Sequence, residues 1–322
     1  MLNKILIIGA GQLGSRHLQG VLKVNSLLNI FVVDPSEVSL NIAKERANEI
    51  QHSHNLFFSN SIDNSIKEYD IAIIATNANV REQIIKKLLE EVRISYMILE
   101  KVLFQNIEAY SAIEDLISQK NVKTWVNHPR RMFPTYQKIK QHLSENNQEK
   151  IYVAITGYDW GIGCNGLHFI DLVCFLKNTS VEKIHTDLLD QKIQKSKRDG
   201  FIEFTGTLTV KFTCGSILVL TSFEGSQLPT DIVIQSKNFK WLIKEGNEIQ
   251  IIQQNQSVEI ESISPLFQSD LTTQLINSIL ETKTCELTNF TEAKLQHIAF
   301  IQILLNFQQT LTGLKNVQLN IT

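Results

Sequence analysis

Gly9-Ala10-Gly11-Gln12-Leu13-Gly14 is the stretch on which the reading of this chain turns. A G-x-G-x-x-G spacing recurs by chance, so its flanks carry the argument. Before it runs Ile5-Leu6-Ile7-Ile8, apolar throughout, the pattern of a strand covered on both faces. After it, Leu13, His17, Leu18, Val21 and Leu22 recur at the spacing of one helix face. Strand, glycine turn and helix in that order make a dinucleotide cradle. Gly9 permits the tight turn, Gly11 lets backbone approach a pyrophosphate, and Gly14 brings helix and strand close. The helix start, with Gln12 and Leu13, offers free N–H groups to phosphate. A glycine turn that holds nothing is the alternative.

Asp34 supplies the second sign. It closes the apolar run 30–33, where an acid accepts hydrogen bonds from ribose hydroxyls and repels the extra phosphate of NADP. Pro35-Ser36-Glu37 follow without an arginine, so the expected cofactor is NAD. Asp34 also suits a helix N-cap.

Working outward, residues 71–75 and 96–99 form further apolar runs. Between them Val80, Ile84, Ile85, Leu88 and Leu89 mark a helix, with Arg81, Lys86, Lys87 and Glu90 expected on its wet face. Alternation of this kind predicts an α/β fold, a Rossmann-type doubly wound parallel sheet over residues 1–125. Beyond residue 126 the pattern changes to a second, α+β domain over 126–322, with a large, mostly antiparallel open sheet. A helix follows Pro134, a strand spans 151–158, and glycines 161, 163 and 166 mark a bend. From Phe201 the period is two: Ile202, Phe204, Leu208, Val210 and Phe212 on one face, Glu203, Thr205, Thr207, Thr209 and Lys211 on the other. Strands at 217–223, 231–235, 239–243, 248–252 and 258–260 continue it. Helices follow Pro265 and start near Thr291, a candidate N-cap. Residues 191–200, with Lys192, Lys195, Lys197 and Arg198, read as a solvated loop, with contact to an anionic ligand as the lesser reading.

The 322 residues carry 31 basic and 33 acidic side chains, a net charge of −2. That balance argues against nucleic acid or an anionic membrane as partner. The apolar run at 5–8 is too short for a signal core, and no stretch reaches the ~18 apolar residues of a membrane span. Cys164, Cys174, Cys214 and Cys285 lack metal-ligand spacing, so no metal is expected. Scattered thiols fit a cytoplasmic protein.

Five signals in order resemble the Gfo/Idh/MocA family of oxidoreductases. The glycine motif continues through Ser15-Arg16 to His17. Ala75-Thr76-Asn77 is similar to a cofactor-facing A-T-[N/P], and Leu99-Glu100-Lys101 to an E-K-P. Val126-Asn127-His128-Pro129-Arg130-Arg131, with Pro134 and Tyr136, is similar to a domain-junction segment. Gly166-Leu167-His168-Phe169-Ile170-Asp171 is similar to a G-x-H-x-x-D segment. The resemblance implies hydride transfer between NAD and a hydroxyl or keto carbon of a sugar, cyclitol or sugar derivative. It assigns Thr76, Asn77, Glu100 and Asn127 to the cofactor and Lys101 and His168 to the chemistry.

Elementary chemistry agrees: a lysine at the carboxyl end of a strand stabilises a developing alkoxide and relays its proton. The bland readings are a surface lysine and a core histidine. Arg131, Tyr158, Trp160, Cys164 and Asn165 are candidates for substrate contact, with Arg130 and Tyr136 behind them, and Asp171 reads as a structural anchor. Two departures stand out. Val102 replaces the family's proline, so a trans bond is expected after Lys101. Cys164 stands where many relatives carry an aspartate four residues before the histidine. Both favour the rival reading, a non-catalytic NAD-dependent regulator of the same fold. The threonine face of the second sheet is the expected surface for a homodimer or homotetramer.

Overall fold

The computed structural model describes residues 2–63, 65–145, 149–225, 228–264 and 266–322. The elements in order are β1 (Asn3–Ile8), α1 (Gln12–Val21), β2 (Leu28–Val33), α2 (Glu37–Asn48) and β3 (Asn55–Ser59). Next come β4 (Glu68–Ile74), α3 (Ala78–Glu91), β5 (Arg93–Leu99), α4 (Glu108–Gln119) and β6 (Lys123–Val126). The chain continues through α5 (Pro134–Ser144), β7 (Tyr152–Tyr158), α6 (Ile162–Lys177), β8 (Val181–Lys195) and β9 (Ile202–Phe212). It ends with β10 (Ile217–Phe223), β11 (Asp231–Gln235), β12 (Phe239–Lys244), β13 (Ile249–Gln254), β14 (Ser257–Ser262), α7 (Gln268–Thr282), β15 (Thr288–Asn289) and α8 (Phe290–Thr312).

The chain divides into two compact units. The first comprises Met1–Phe104, Glu108–Pro129 and Leu266–Thr291. Its strands lie in the order β15-β6-β5-β4-β1-β2-β3, with β1 parallel to both β2 and β4. β15, antiparallel to β6, closes one edge. Ile5, Leu6 and Ile7 are wholly buried because helices cover both faces, which is why β1 reads as a solid apolar run. The sheet order reverses between β1 and β4, and open α/β sheets bind ligands at the carboxyl ends of strands at such a point. Against the division expected at residue 125/126, the segment 266–291 lies with this first unit. There α7 packs along α1, tied by Thr273 Oγ1 to the Gly20 carbonyl at 2.8 Å.

The second unit comprises Gln105–Ile107, Arg130–Pro265 and Glu292–Thr322. Its sheet runs β14-β13-β12-β11-β7-β10-β9-β8, antiparallel except where β10 meets β7. α6 packs on β9 and β10, over the face that buries Phe204, Leu208, Val210 and Phe212. On the opposite face Tyr152, Ile217 and Phe223 are exposed. α6 stops at Asn178, which takes the left-handed conformation that asparagine tolerates.

Three expectations change. Residues 191–195 are the end of β8 rather than loop; paired to β9 with several register shifts, this edge strand loses a clean alternation. The loop is 196–200. Arg81 is not on a wet face but buried inside α3. α8 begins at Phe290, so Thr291 is already helical, and its hydroxyl donates to Glu114. A helix does follow residue 265, although Pro265 itself lies outside the described residues. No described helix is long and apolar enough to cross a membrane, and no described cluster of His, Cys, Asp and Glu could hold a metal.

Candidate functional site

In the first unit the three motif glycines meet three different demands. Gly9 sits at φ +95°, and a Cβ there would lie 2.9 Å from the Ala75 backbone. A Cβ on Gly14 would stand 1.7 Å from the Gly9 carbonyl oxygen, so helix and turn touch there through backbone. Gly11 is different. A Cβ there meets nothing within 4 Å, which leaves open space above the start of α1. The Gln12 side chain is exposed beside this loop and accepts from Arg46 of α2 at 2.5 Å, while Leu13 is half-buried. Arg46 carries no signal in the sequence, since it is one of several charges on α2.

Asp34 grips the same loop. Its Oδ2 accepts from Ala10 N at 2.7 Å and its Oδ1 from Ser36 N at 2.8 Å. The N-cap of α2 is Ser36, not Asp34. An ionised carboxylate has about four acceptor positions, so two remain for a ligand.

At the carboxyl ends of β4, β5 and β6 lie Thr76, Asn77, Glu100, Lys101 and Asn127. Thr76 Oγ1 and Asn127 Oδ1 are buried without a hydrogen-bond partner. Buried polar atoms are rarely left so, and each one calls for an explanation. Asn77 is exposed at the start of α3, and its side chain makes no capping bond.

Glu100, expected to face the cofactor, is turned inward. Its Oε1 accepts from His17 Nε2 at 2.8 Å and from Asn127 Nδ2 at 2.6 Å. Burial works to raise its pKa, but bonds from His17 and Asn127 and the charge of Arg81 outweigh that and hold it below the usual carboxylate range. His17 Nδ1 meets Thr272 Oγ1 at 2.8 Å. The glycine motif's histidine is thus an internal strut. Thr272 had no signal in sequence, being 255 residues away.

Lys101 is half-buried directly after β5. The bond to Val102 is cis, which corrects the expected trans bond. The segment is held from below: Arg81 donates to the carbonyls of Val102, Leu103 and Thr76. Burial pulls the Arg81 guanidinium down to about 10, against the opposing pull of Glu100, so it stays charged at neutral pH.

In the second unit His168 is half-buried on α6, one turn after Cys164. Arg131, a candidate for substrate, is instead committed. Its Nε and Nη2 grip Asp171 at 2.8 and 2.7 Å, and Nη2 also meets Glu292 at 2.5 Å. Arg130 pairs with Glu245 at 2.7 Å beneath the ring of Phe169, and Tyr136 donates to the same carboxylate.

Trp160, Cys164 and Asn165 line a cleft of about 600 Å³ formed by this unit alone. Trp160 Nε1 donates to the Thr221 carbonyl at 2.8 Å, and Asn165 donates to the Trp160 carbonyl. Tyr158 is half-buried at the end of β7 against Phe223. Sequence reasoning missed Glu203, whose carboxylate accepts from Gly163 N at 2.7 Å and Cys164 N at 2.9 Å. It was legible only as one polar residue in an alternating strand.

Residues 3–128 match the family model described as "Oxidoreductase family, NAD-binding Rossmann fold". Among curated proteins none matches the chain. Several solved structures share its fold. One is an oxidoreductase from Agrobacterium radiobacter in complex with NAD+, L-tartaric acid and magnesium, 13% identical, with a TM-score of 0.73 and 98% of each chain covered. A second is scyllo-inositol dehydrogenase from Lactobacillus casei with bound NAD(H) and scyllo-inositol, 17% identical, with a TM-score of 0.67, covering 94% of this chain and 95% of that one. A third is a super-repressor mutant of Gal80p from Saccharomyces cerevisiae, 12% identical, with a TM-score of 0.72 and 96% of each chain covered.

Proposed function

We propose, for a chain whose residues 3–128 match the NAD-binding Rossmann model of the Gfo/Idh/MocA oxidoreductases, a dehydrogenase or reductase acting on a hydroxyl or keto carbon of a sugar, cyclitol or sugar derivative. The observation that carries the reading is the first unit's crevice. Open space lies over Gly11, and Thr76 Oγ1 and Asn127 Oδ1 are buried without partners at the ends of β4 and β6, the strands on either side of β5. These residues fit a dinucleotide. The N–H groups at the start of α1 take the pyrophosphate, Asp34 the adenosine ribose, and Asn127 Oδ1 accepts from a carboxamide.

When bound, NAD supplies the hydride chemistry. The chain's own part is orientation and charge. Lys101, at the end of β5, stabilises the alkoxide as it develops and carries its proton. His168 is assigned to the substrate hydroxyl, and Trp160, Asn165 and Tyr158 to substrate contact. Arg131 drops out of that set because two carboxylates occupy it.

The rival reading, an NAD-dependent regulator, is favoured by one observation: Cys164 stands where a carboxylate would pair with His168. We test both together. The protein is incubated with NAD and a panel of sugars, cyclitols and nucleotide sugars while the absorbance of reduced nicotinamide is followed. Reduction of NAD by any member supports the enzyme. NAD binding with no turnover across the panel, in either direction, refutes it.

A further inference from the structure

The cleft of the second unit holds two features that the reading above leaves unused. The first is Ser222, at the end of β10, which lines the cleft; it is 1% exposed, and its hydroxyl has no hydrogen-bond partner. A buried hydroxyl that is satisfied neither by protein nor by solvent marks a place where a ligand's polar group belongs. The second is the rim. Lys195, Lys197 and Arg198, at the β8–β9 turn, border the same cleft. Among the described residues none of the three takes part in an ion pair.

The acids of the cleft, by contrast, are engaged. Glu224 pairs with Lys192 at 2.8 Å, Asp159 accepts from Gly225 N at 3.1 Å, and Glu203 accepts two N–H groups from the first turn of α6. The charge balance of the cleft is therefore uneven in availability: its carboxylates already hold protein donors, whereas Lys195, Lys197 and Arg198 are exposed at the rim and take part in no ion pair among the described residues. The turn that carries them is closed on itself. Ser196 N donates to the Phe201 carbonyl at 2.9 Å, and Phe201 N to the Arg198 carbonyl at 3.3 Å.

We propose that this cleft takes an anionic sugar, its polyol body against Asn165, Trp160 and Ser222 and its carboxylate or phosphate at Lys195, Lys197 and Arg198. Arginine receives such an oxyanion through a planar pair of N–H groups, and the lysines add point charge. The inference rests on the sugar-oxidoreductase reading and narrows it to a substrate class. It replaces the solvated-loop reading of residues 196–200 with a ligand-binding turn.

The test uses NAD-loaded full-length protein and calorimetric titration with D-glucose, D-glucuronate, D-glucose 6-phosphate and UDP-glucose. At least one charged member is expected to bind about ten-fold or more tighter than D-glucose, equivalent to about 1.4 kcal/mol. Which member wins separates a carboxylate, a phosphate monoester and a diphosphate as the source. That preference is expected to shrink in Lys195→Gln/Lys197→Gln/Arg198→Gln and at raised salt, because exposed charges are screened. NAD affinity of the triple variant, read in the same instrument, stays that of the wild type. D-glucose binding as tightly as all three charged sugars, no charged sugar binding to NAD-loaded protein, or a preference undiminished in the triple variant overturns the inference. Oxidation of a neutral sugar with no charged preference leaves the enzyme reading standing while sinking this one. Failure of NAD to bind removes the enzyme reading instead, and a charged-sugar preference that persists without NAD keeps the cleft.

Discussion

Replacing Asp34 separates its two duties, and the structure gives the size of each. Its carboxylate holds Ala10 N and Ser36 N, one contact on each oxygen. The remaining lone pairs are the ones assigned to ribose. Asp34→Asn keeps one oxygen as acceptor and removes the charge; Asp34→Ala removes everything. A hydrogen bond to a charged group contributes about 1.5–3 kcal/mol, so losing it weakens NAD by about 10- to 150-fold. For NADP the sign reverses. Two unit charges about 4 Å apart near a protein surface interact by about 4 kcal/mol, and removing the carboxylate lifts that repulsion from the 2′-phosphate. Asp34→Asn is therefore expected to move the NAD-to-NADP affinity ratio by at least about a hundred-fold toward NADP. Asp34→Ala is expected to do the same and to lower the unfolding temperature, because two backbone N–H groups lose their acceptor. The assay is calorimetric titration of wild type and both variants with each cofactor, alongside thermal unfolding. Wild-type protein that prefers NADP, or Asp34→Asn protein that binds NAD as tightly as wild type, refutes the assignment.

Lys101→Met is expected to leave NAD affinity within a few-fold while turnover falls by about 10²-fold or more, read on whichever panel member is a substrate. Arg131→Met strands the buried Asp171 carboxylate, and loss of one partner of a buried pair costs about 3 kcal/mol or more. Chemical denaturation measures that directly, and an unchanged midpoint would show that the pair is not structural. Glu100 is held below its ordinary 4.5 when folded. Its contribution is therefore present above about 4.5 and lost as pH falls through the folded value. Glu100→Gln should flatten the acid limb of the stability profile while costing stability at neutral pH. His168→Ala should abolish most turnover and Cys164→Ala far less; a fully active His168→Ala protein would make this histidine core filling.

The parts legible in sequence are those that local chain geometry imposes. Gly9 and Gly14 have to be glycine, because a Cβ at either collides with backbone a few residues or one strand away. β1, β4 and the upper half of β5 announce themselves because burial on both faces leaves no room for polar residues. β3 and β8 did not. β3 alternates exposed and half-buried positions at the sheet edge, and β8 is an edge strand whose register shifts against β9 break the period. The polar network was the least legible part. His17, Glu100 and Thr272 come together from separations of 83 and 255 residues, and no spacing rule links them. Arg81 misled for a simple reason: a long cation between Val80 and Ile84 reads as a wet residue until its carbonyl partners are known.

Those carbonyl partners lie at a point where the sequence departs from the motif it resembles. Val102 stands where the resembled E-K-P motif carries proline, and its carbonyl accepts from a buried arginine. Arg81 donates to the carbonyls of Val102 and Leu103 after β5 and to that of Thr76 after β4. One buried cation thus ties together two strand ends that bear the residues assigned to cofactor and chemistry. Glu100, between them in sequence, is the anion that Arg81 feels, and it is fixed in turn by His17 and Asn127. Buried polar groups are costly where they go unpaired, and the bonds that pair them hold the chain in place. In this chain the network includes Asn127 and reaches the carbonyls of Thr76 and of Val102, the residue after Lys101. Thr76 Oγ1 and Asn127 Oδ1, at the ends of β4 and β6, are buried with no hydrogen-bond partner. Strand ends fixed by such bonds, with two buried polar atoms left for a ligand, are what the proposed dinucleotide site requires.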